Sequence, residues 1–122
     1  MSVTAQMLVQ AAKQEIREVG LESADELLQP ATTVILDVRE PEEFQRGAIP
    51  GAINIPRGLL EFRIGSLPQL QDPATATLVY CQSGGRSALA SQTLQRMGYT
   101  NVVSLAGGYA AWEAAQRSVI RY

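Results

Sequence analysis

Three short apolar runs, Val34 to Val38, Leu78 to Tyr80 and Val102 to Leu105, are separated by stretches with helical signals. This pattern predicts an α/β fold: a central, mostly parallel sheet with helices on both faces. The first run is broken only by Asp37, as expected of a strand covered on both sides. The second runs straight into a glycine-bearing loop and then a helix, the strand, loop and helix order that places ligands beyond the carboxyl ends of parallel strands. A length of 122 residues, 46% hydrophobic and 18% charged, fits one globular domain.

The elements follow in order. Leu8, Val9, Ala12 and Ile16 recur at helical spacing, so residues of about 4 to 14 read as an amphipathic helix, with Ile16 to Val19 as a short edge strand. Ser23-Ala24-Asp25-Glu26 has the pattern of a capping box and starts a second helix that ends by Pro30. Pro41 sits where a third helix begins, with Glu42 and Glu43 in its first turn and Gly47 as its stop. Pro50-Gly51 marks a turn before a brief strand, Ile53 to Ile55, and Leu59 to Ile64 is helical. After Cys81-Gln82-Ser83-Gly84-Gly85-Arg86, the residues Ala90, Leu94 and Met97 line one face of a helix closed by Gly98. Gly107-Gly108 opens a final helix that carries Tyr109 and Trp112, read as core and rim aromatics.

The chain has no His and one Cys. Catalysis by a Ser-His-Asp or Cys-His pair is therefore excluded, as are an intramolecular disulfide and a zinc site built from several Cys and His ligands. No metal and no cofactor is expected. The net charge is −2, and nine of the ten basic residues are Arg, scattered from Arg17 to Arg121. That is a poor footprint for nucleic acid. The first fifteen residues lack the basic start and unbroken apolar stretch of a secretion signal, and no other apolar run spans a membrane. A cytoplasmic monomer is the expectation.

The lone Cys81 is the one reactive group placed where a parallel sheet puts its ligands. Taken alone, such a cysteine is most simply a small buried hydrophobe. Its context favours chemistry: backbone N–H groups of Gln82 to Arg86 can curl around the sulfur, and a helix N-terminus points its partial positive charge inward. A free thiol with a pKa near 8.5 is only about 3% ionised at neutral pH, and helix termini and cations raise that fraction. Amide cleavage is disfavoured because no histidine is present to protonate the departing amine. Attack on a sulfane sulfur needs no such acid, since sulfite leaves as a stable anion.

Here the residues resemble a known family, the single-domain rhodaneses, which are thiosulfate-type sulfurtransferases. The resemblance spans about residues 16 to 116 and rests on four segments in order. These are Leu36-Asp37-Val38-Arg39-Glu40 with Phe44, then Gly47 to Pro56, the loop Cys81 to Ser87, and Gly107 to Trp112. It implies that Cys81 accepts sulfur as a persulfide and passes it to cyanide, a cellular thiol or a protein acceptor. Residues 1–15 then form a helical extension to a rhodanese-like domain of residues 16–122.

The substrate cradle implied is Gln82, Ser83, Gly84, Gly85 and Arg86. Arg86 holds either the loop or an anionic substrate, unless it is simply an exposed first-turn Arg. Arg63 is placed at the pocket rim, with an exposed helix Arg as the alternative. Asp37 and Arg39 are read as scaffold, Asp37 being buried and seeking donors from backbone amides or Arg39. Ala48 stands where the family usually has His, so one hydrogen bond near the first crossover is missing. Two other functions compete: a persulfide carrier or binding module serving one protein partner, and a cysteine phosphatase or arsenate reductase. The phosphatase branch places one more residue between Cys and Arg than the four enclosed here.

Overall fold

The computed structural model describes residues 2–122; Met1, the first residue of the expected extension, lies outside the described residues. The chain runs α1 (Ala5–Lys13), β1 (Arg17–Val19), α2 (Leu21–Leu27), β2 (Val34–Asp37), α3 (Pro41–Arg46) and β3 (Ile53–Asn54). It continues through α4 (Leu60–Arg63), flanked by 3₁₀ turns at Arg57–Leu59 and Ile64–Ser66, to β4 (Thr77–Tyr80), α5 (Gly85–Arg96), β5 (Val102–Leu105) and α6 (Gly108–Ala114). The strands pair in the order β1-β5-β4-β2-β3, every pair parallel. Beside the sheet, Ala48 and Ile120 form an isolated antiparallel bridge.

The central β4 is buried at all four residues, and its side chains alternate between two cores. Val79 and then Cys81 face a core shared with Leu36, Leu60 and Ile64 of the α4 segment and Ala90 and Leu94 of α5. Leu78 and Tyr80 face the other, with Ala24 of α2, Phe44 of α3 and Tyr109 and Trp112 of α6. Helices thus cover both faces, as the apolar runs predict. α1 packs along α5, burying Ala12, and Glu15 receives a hydrogen bond from Gln92.

Three local expectations fail for identifiable reasons. The second helix begins at Leu21 with Gly20 at its N-cap, so Ser23 lies within the first turn and caps nothing. Leu21 packs into the α6-side core and draws the helix start upstream. The reciprocal box occurs instead at α3, where the Glu40 side chain receives the Glu43 N–H and Glu43 Oε1 receives the Glu40 N–H at 3.0 Å. Leu8 is half exposed, because the buried stripe of α1 centres on Val9 and Ala12 and leaves Leu8 at its edge. Met97 is also exposed: α5 ends at Arg96, and Met97 is its C-cap, leading into the turn at Gly98.

At Ala48, where the resemblance led to the expectation of a missing hydrogen bond, the backbone is paired instead. Ala48 is fully buried, and its N–H and carbonyl each bond Ile120 at 2.9 Å. Further on, Tyr122 stacks on Phe44 with ring centroids 4.9 Å apart and donates its N–H to the Gln45 carbonyl. The C-terminal segment therefore straps α3.

Candidate active site

Cys81 follows the last residue of β4, at the carboxyl edge of the sheet, and is 1% exposed. Its Sγ accepts the Gly84 N–H at 3.1 Å, and its thiol donates to Ser87 Oγ at 3.6 Å. The chain closes this tightly because Gly84 has φ +111, a conformation that strains any side chain. Gly84 is also the N-cap of the twelve-residue α5, so the sulfur lies beside unsatisfied helix N–H groups.

The loop is clamped from beyond β5. Tyr109 N–H donates to the Cys81 carbonyl at 2.8 Å and Ala110 N–H to the Gln82 carbonyl at 3.0 Å. A Cβ on Gly108 would fall 2.5 Å from the Cys81 carbonyl oxygen, so this approach requires glycine. A Cβ on Gly85 would meet Val9 of α1 at ordinary contact distance, which places the N-terminal helix beside the start of α5.

Beneath the loop lies a buried ion pair. Arg39 is 2% exposed and Asp37 fully buried. The Asp37 carboxylate receives the Arg39 backbone N–H and Nη2–H, both at 2.8 Å, and Nε–H at 3.2 Å. Arg39 also donates to the Gly47 carbonyl at 2.6 Å and to Gln82 Oε1 at 3.2 Å, with the Tyr109 ring centroid 4.4 Å from its Cζ. Burial works against its charge, but the Asp37 carboxylate outweighs burial and raises the Arg39 pKa above its ordinary value. Burial and the nearby Asp37 also push the Tyr80 hydroxyl far up, so it is neutral, and it receives the Ile49 N–H at 3.1 Å. The scaffold reading of Asp37 and Arg39 fits these contacts.

Arg86 is engaged by a residue the sequence reading did not single out for the site. Its two terminal nitrogens donate to Glu43 at 2.7 and 3.0 Å, a bidentate pair between α5 and α3. Glu43 raises the Arg86 pKa against the effect of burial, and the Cys81 sulfur adds a smaller pull in the same direction. In return, the Arg86 guanidinium holds Glu43 at about 2 from an ordinary 4.5, against burial and with help from the Glu40 N–H.

A carboxylate depressed by folding stabilises the fold above its unfolded value and loses that contribution as pH falls through the folded one. Glu43→Gln is therefore expected to cost about 1 kcal/mol at neutral pH, discounted for the solvent that reaches both partners. Thermal midpoints of the two proteins should converge as pH drops from 4.5 to about 2. A constant gap over that range would rule the pair out as its source.

The structure gathers Cys81 and Gln82 to Arg86 into one loop, but their side chains take different directions. Gln82 turns away from the sulfur to Arg39, and a recess of about 310 Å³ beside Arg39, Arg46, Gln82 and Tyr109 does not include Cys81. Ser83 is the exposed residue of the loop. Arg63 lies exposed at the end of α4, and its guanidinium makes no hydrogen bond or ion pair among the described residues. Ser87 and Ser104 join the sulfur's surroundings without having been expected: Ser104 Oγ donates to Ser87 Oγ at 2.8 Å. The signal was available, because Ser104 is a polar residue within a buried strand, as Asp37 is.

Comparison with known proteins bears on the family and the fold. The rhodanese-like domain family model matches residues 21–115. A sulfurtransferase of Allochromatium vinosum is 36% identical over 98 residues, covering 80% of this chain and 88% of that protein. Thiosulfate sulfurtransferase 18 of Arabidopsis thaliana is 37% identical over 109 residues, covering 81% and 79%. Among solved structures, a Rhodopseudomonas palustris protein of unknown function, described as a possible tyrosine phosphatase, superposes with a TM-score of 0.88 at 31% identity. That match covers 98% of this chain and 96% of the other.

Proposed function

Because this chain belongs to the rhodanese-like domain family, we propose that Cys81 carries a sulfane sulfur as a persulfide, from a donor such as thiosulfate to cyanide or a thiol. The observation that carries this reading is the sulfur's seat, with the Gly84 N–H 3.1 Å away at the N-terminus of α5. The Cys81 thiolate attacks the outer sulfur of thiosulfate. A new S–S bond forms, the S–S bond of thiosulfate breaks, and its electron pair leaves on sulfite. Cyanide then attacks the terminal sulfur of the persulfide, giving thiocyanate and returning the thiolate. Neither leaving group needs a proton, which suits a site without histidine.

Gln82 and Arg86 shape the cradle through Arg39 and Glu43, while Ser83, Gly84 and Gly85 present its backbone to the donor. Arg63, exposed on α4, supplies positive charge at the rim for a dianionic donor. Because the mechanism needs a lone reduced thiol, a reducing compartment such as the cytoplasm suits it. A protein sulfur acceptor is the alternative recipient.

The phosphatase reading draws support from the Rhodopseudomonas palustris neighbour. Two observations weigh against it: only four residues separate Cys81 from Arg86, and Glu43 already occupies the guanidinium a phosphoryl group would need.

Intact mass of the purified protein before and after thiosulfate, then after cyanide or a reducing thiol, tests the proposal. A gain of exactly one sulfur atom, reversed by the acceptor, is expected. If discharge occurs only when an acceptor protein is added, the carrier reading replaces the small-molecule one. No gain in mass, with turnover of an aryl phosphate, would overturn both in favour of the phosphatase.

A further inference from the structure

Ser104 carries a cost that packing does not explain. It is fully buried on β5, whose other residues, Val102, Val103 and Leu105, are all apolar. A hydroxyl in that position gives up hydration and destabilises the fold unless it is bonded. Its hydrogen bond goes to Ser87 Oγ, at 2.8 Å. Ser87 is itself fully buried in the first turn of α5, where its oxygen also receives the Cys81 thiol at 3.6 Å and its own proton goes to the Gly84 carbonyl at 3.2 Å. A serine hydroxyl has one proton and two lone pairs, so Ser87 is saturated while the sulfur is a thiol.

We infer that Ser104 is a positioning residue for the Cys81 sulfur: it pins Ser87 Oγ beside the sulfur and leaves the Ser87 proton able to turn from the Gly84 carbonyl to a negatively charged sulfur. When the thiol proton departs to solvent, Ser87 loses one of its two donors and the sulfur becomes an acceptor. The Ser87 O–H then rotates to the sulfur, while the bond from Ser104 is the same before and after. Each serine keeps its own proton throughout.

Ser104 contributes in two ways. Its donation polarises the Ser87 O–H and strengthens the bond that O–H makes. It also holds one rotamer of Ser87, the one that keeps Oγ within reach of both the Gly84 carbonyl and the sulfur. The three residues come from β4, α5 and β5, so the sulfur's hydrogen bonding reports on the packing of that unit. In its bearing on sulfur transfer the inference rests on Cys81 as the carrier, but its test does not use that reaction.

Cys81 is the only cysteine, so the rate of its alkylation by iodoacetamide can be followed across a pH series without ambiguity. Ser104→Ala removes one oxygen and is expected to slow alkylation at neutral pH about threefold, moving the whole profile to higher pH with its alkaline plateau unchanged. Ser87→Ala should move it further. The double variant should move it no further than Ser87→Ala alone, because Ser104 acts through Ser87. A Ser104→Ala profile superimposable on the wild type overturns the inference, even if the thermal midpoint falls, and so does a double variant whose displacement is the sum of the two. If the profile moves as expected while the wild type takes up no sulfur from thiosulfate, Ser104 keeps its role and the carrier reading fails.

Discussion

Cys81→Ser is expected to leave the fold in place and to abolish the proposed sulfur uptake: thiosulfate should no longer change the intact mass, and turnover to thiocyanate should fall roughly a thousandfold or more. A serine hydroxyl is neutral at any working pH and is a poor nucleophile toward sulfane sulfur. The change is nearly isosteric, and its oxygen can still receive the Gly84 N–H and meet Ser87, so the loop retains its bonds. Loss of activity without loss of structure separates a chemical role for the thiol from its place in the core beside Leu60 and Ala90. A Ser variant that still takes up sulfur would remove Cys81 from the mechanism.

Asp37→Ala is expected to cost about 3 to 5 kcal/mol, because it strands a buried guanidinium. Arg39 would keep the Gly47 carbonyl, Gln82 Oε1 and the Tyr109 face, none of which carries a compensating charge. For a chain of this size the thermal midpoint should drop by roughly 10–20 °C. Activity should fall more steeply than stability under conditions where the variant is still folded, since Arg39 holds Gln82 and thereby the loop. A midpoint within a few degrees of the wild type would show that Arg39 is rehydrated in the variant and that the pair matters little.

The sheet was legible because burial on both faces leaves strands such as Val34 to Asp37 and Thr77 to Tyr80 almost wholly apolar, a signal that survives without any tertiary information. The loop was legible for a related reason: glycines after a buried strand mark backbone that must bend sharply, as Gly84 does. What escaped were pairings across the chain. Glu43 reads correctly as a first-turn acid of α3, but nothing local says that Arg86, on α5, will meet it. Likewise, nothing near Ala48 in the sequence tells that its backbone will pair with Ile120, which depends on where the C-terminal segment lies. Helix starts failed where a core contact outweighed a capping preference, as Leu21 did over Ser23.

The strand order also governs how the thiol fares while the chain is being made. β1 pairs only with β5, so the first strand made waits for the last to emerge from the ribosome, whereas β2 meets β3 soon after it. Such non-local pairing folds slowly. Until β5 and α6 arrive, the Cys81 carbonyl lacks Tyr109 and Ser87 lacks Ser104, and the Cys81 sulfur lacks part of the packing that buries it. Nascent chains are thus expected to be more vulnerable to oxidants than the finished protein, with damage falling on Cys81, the proposed sulfur carrier.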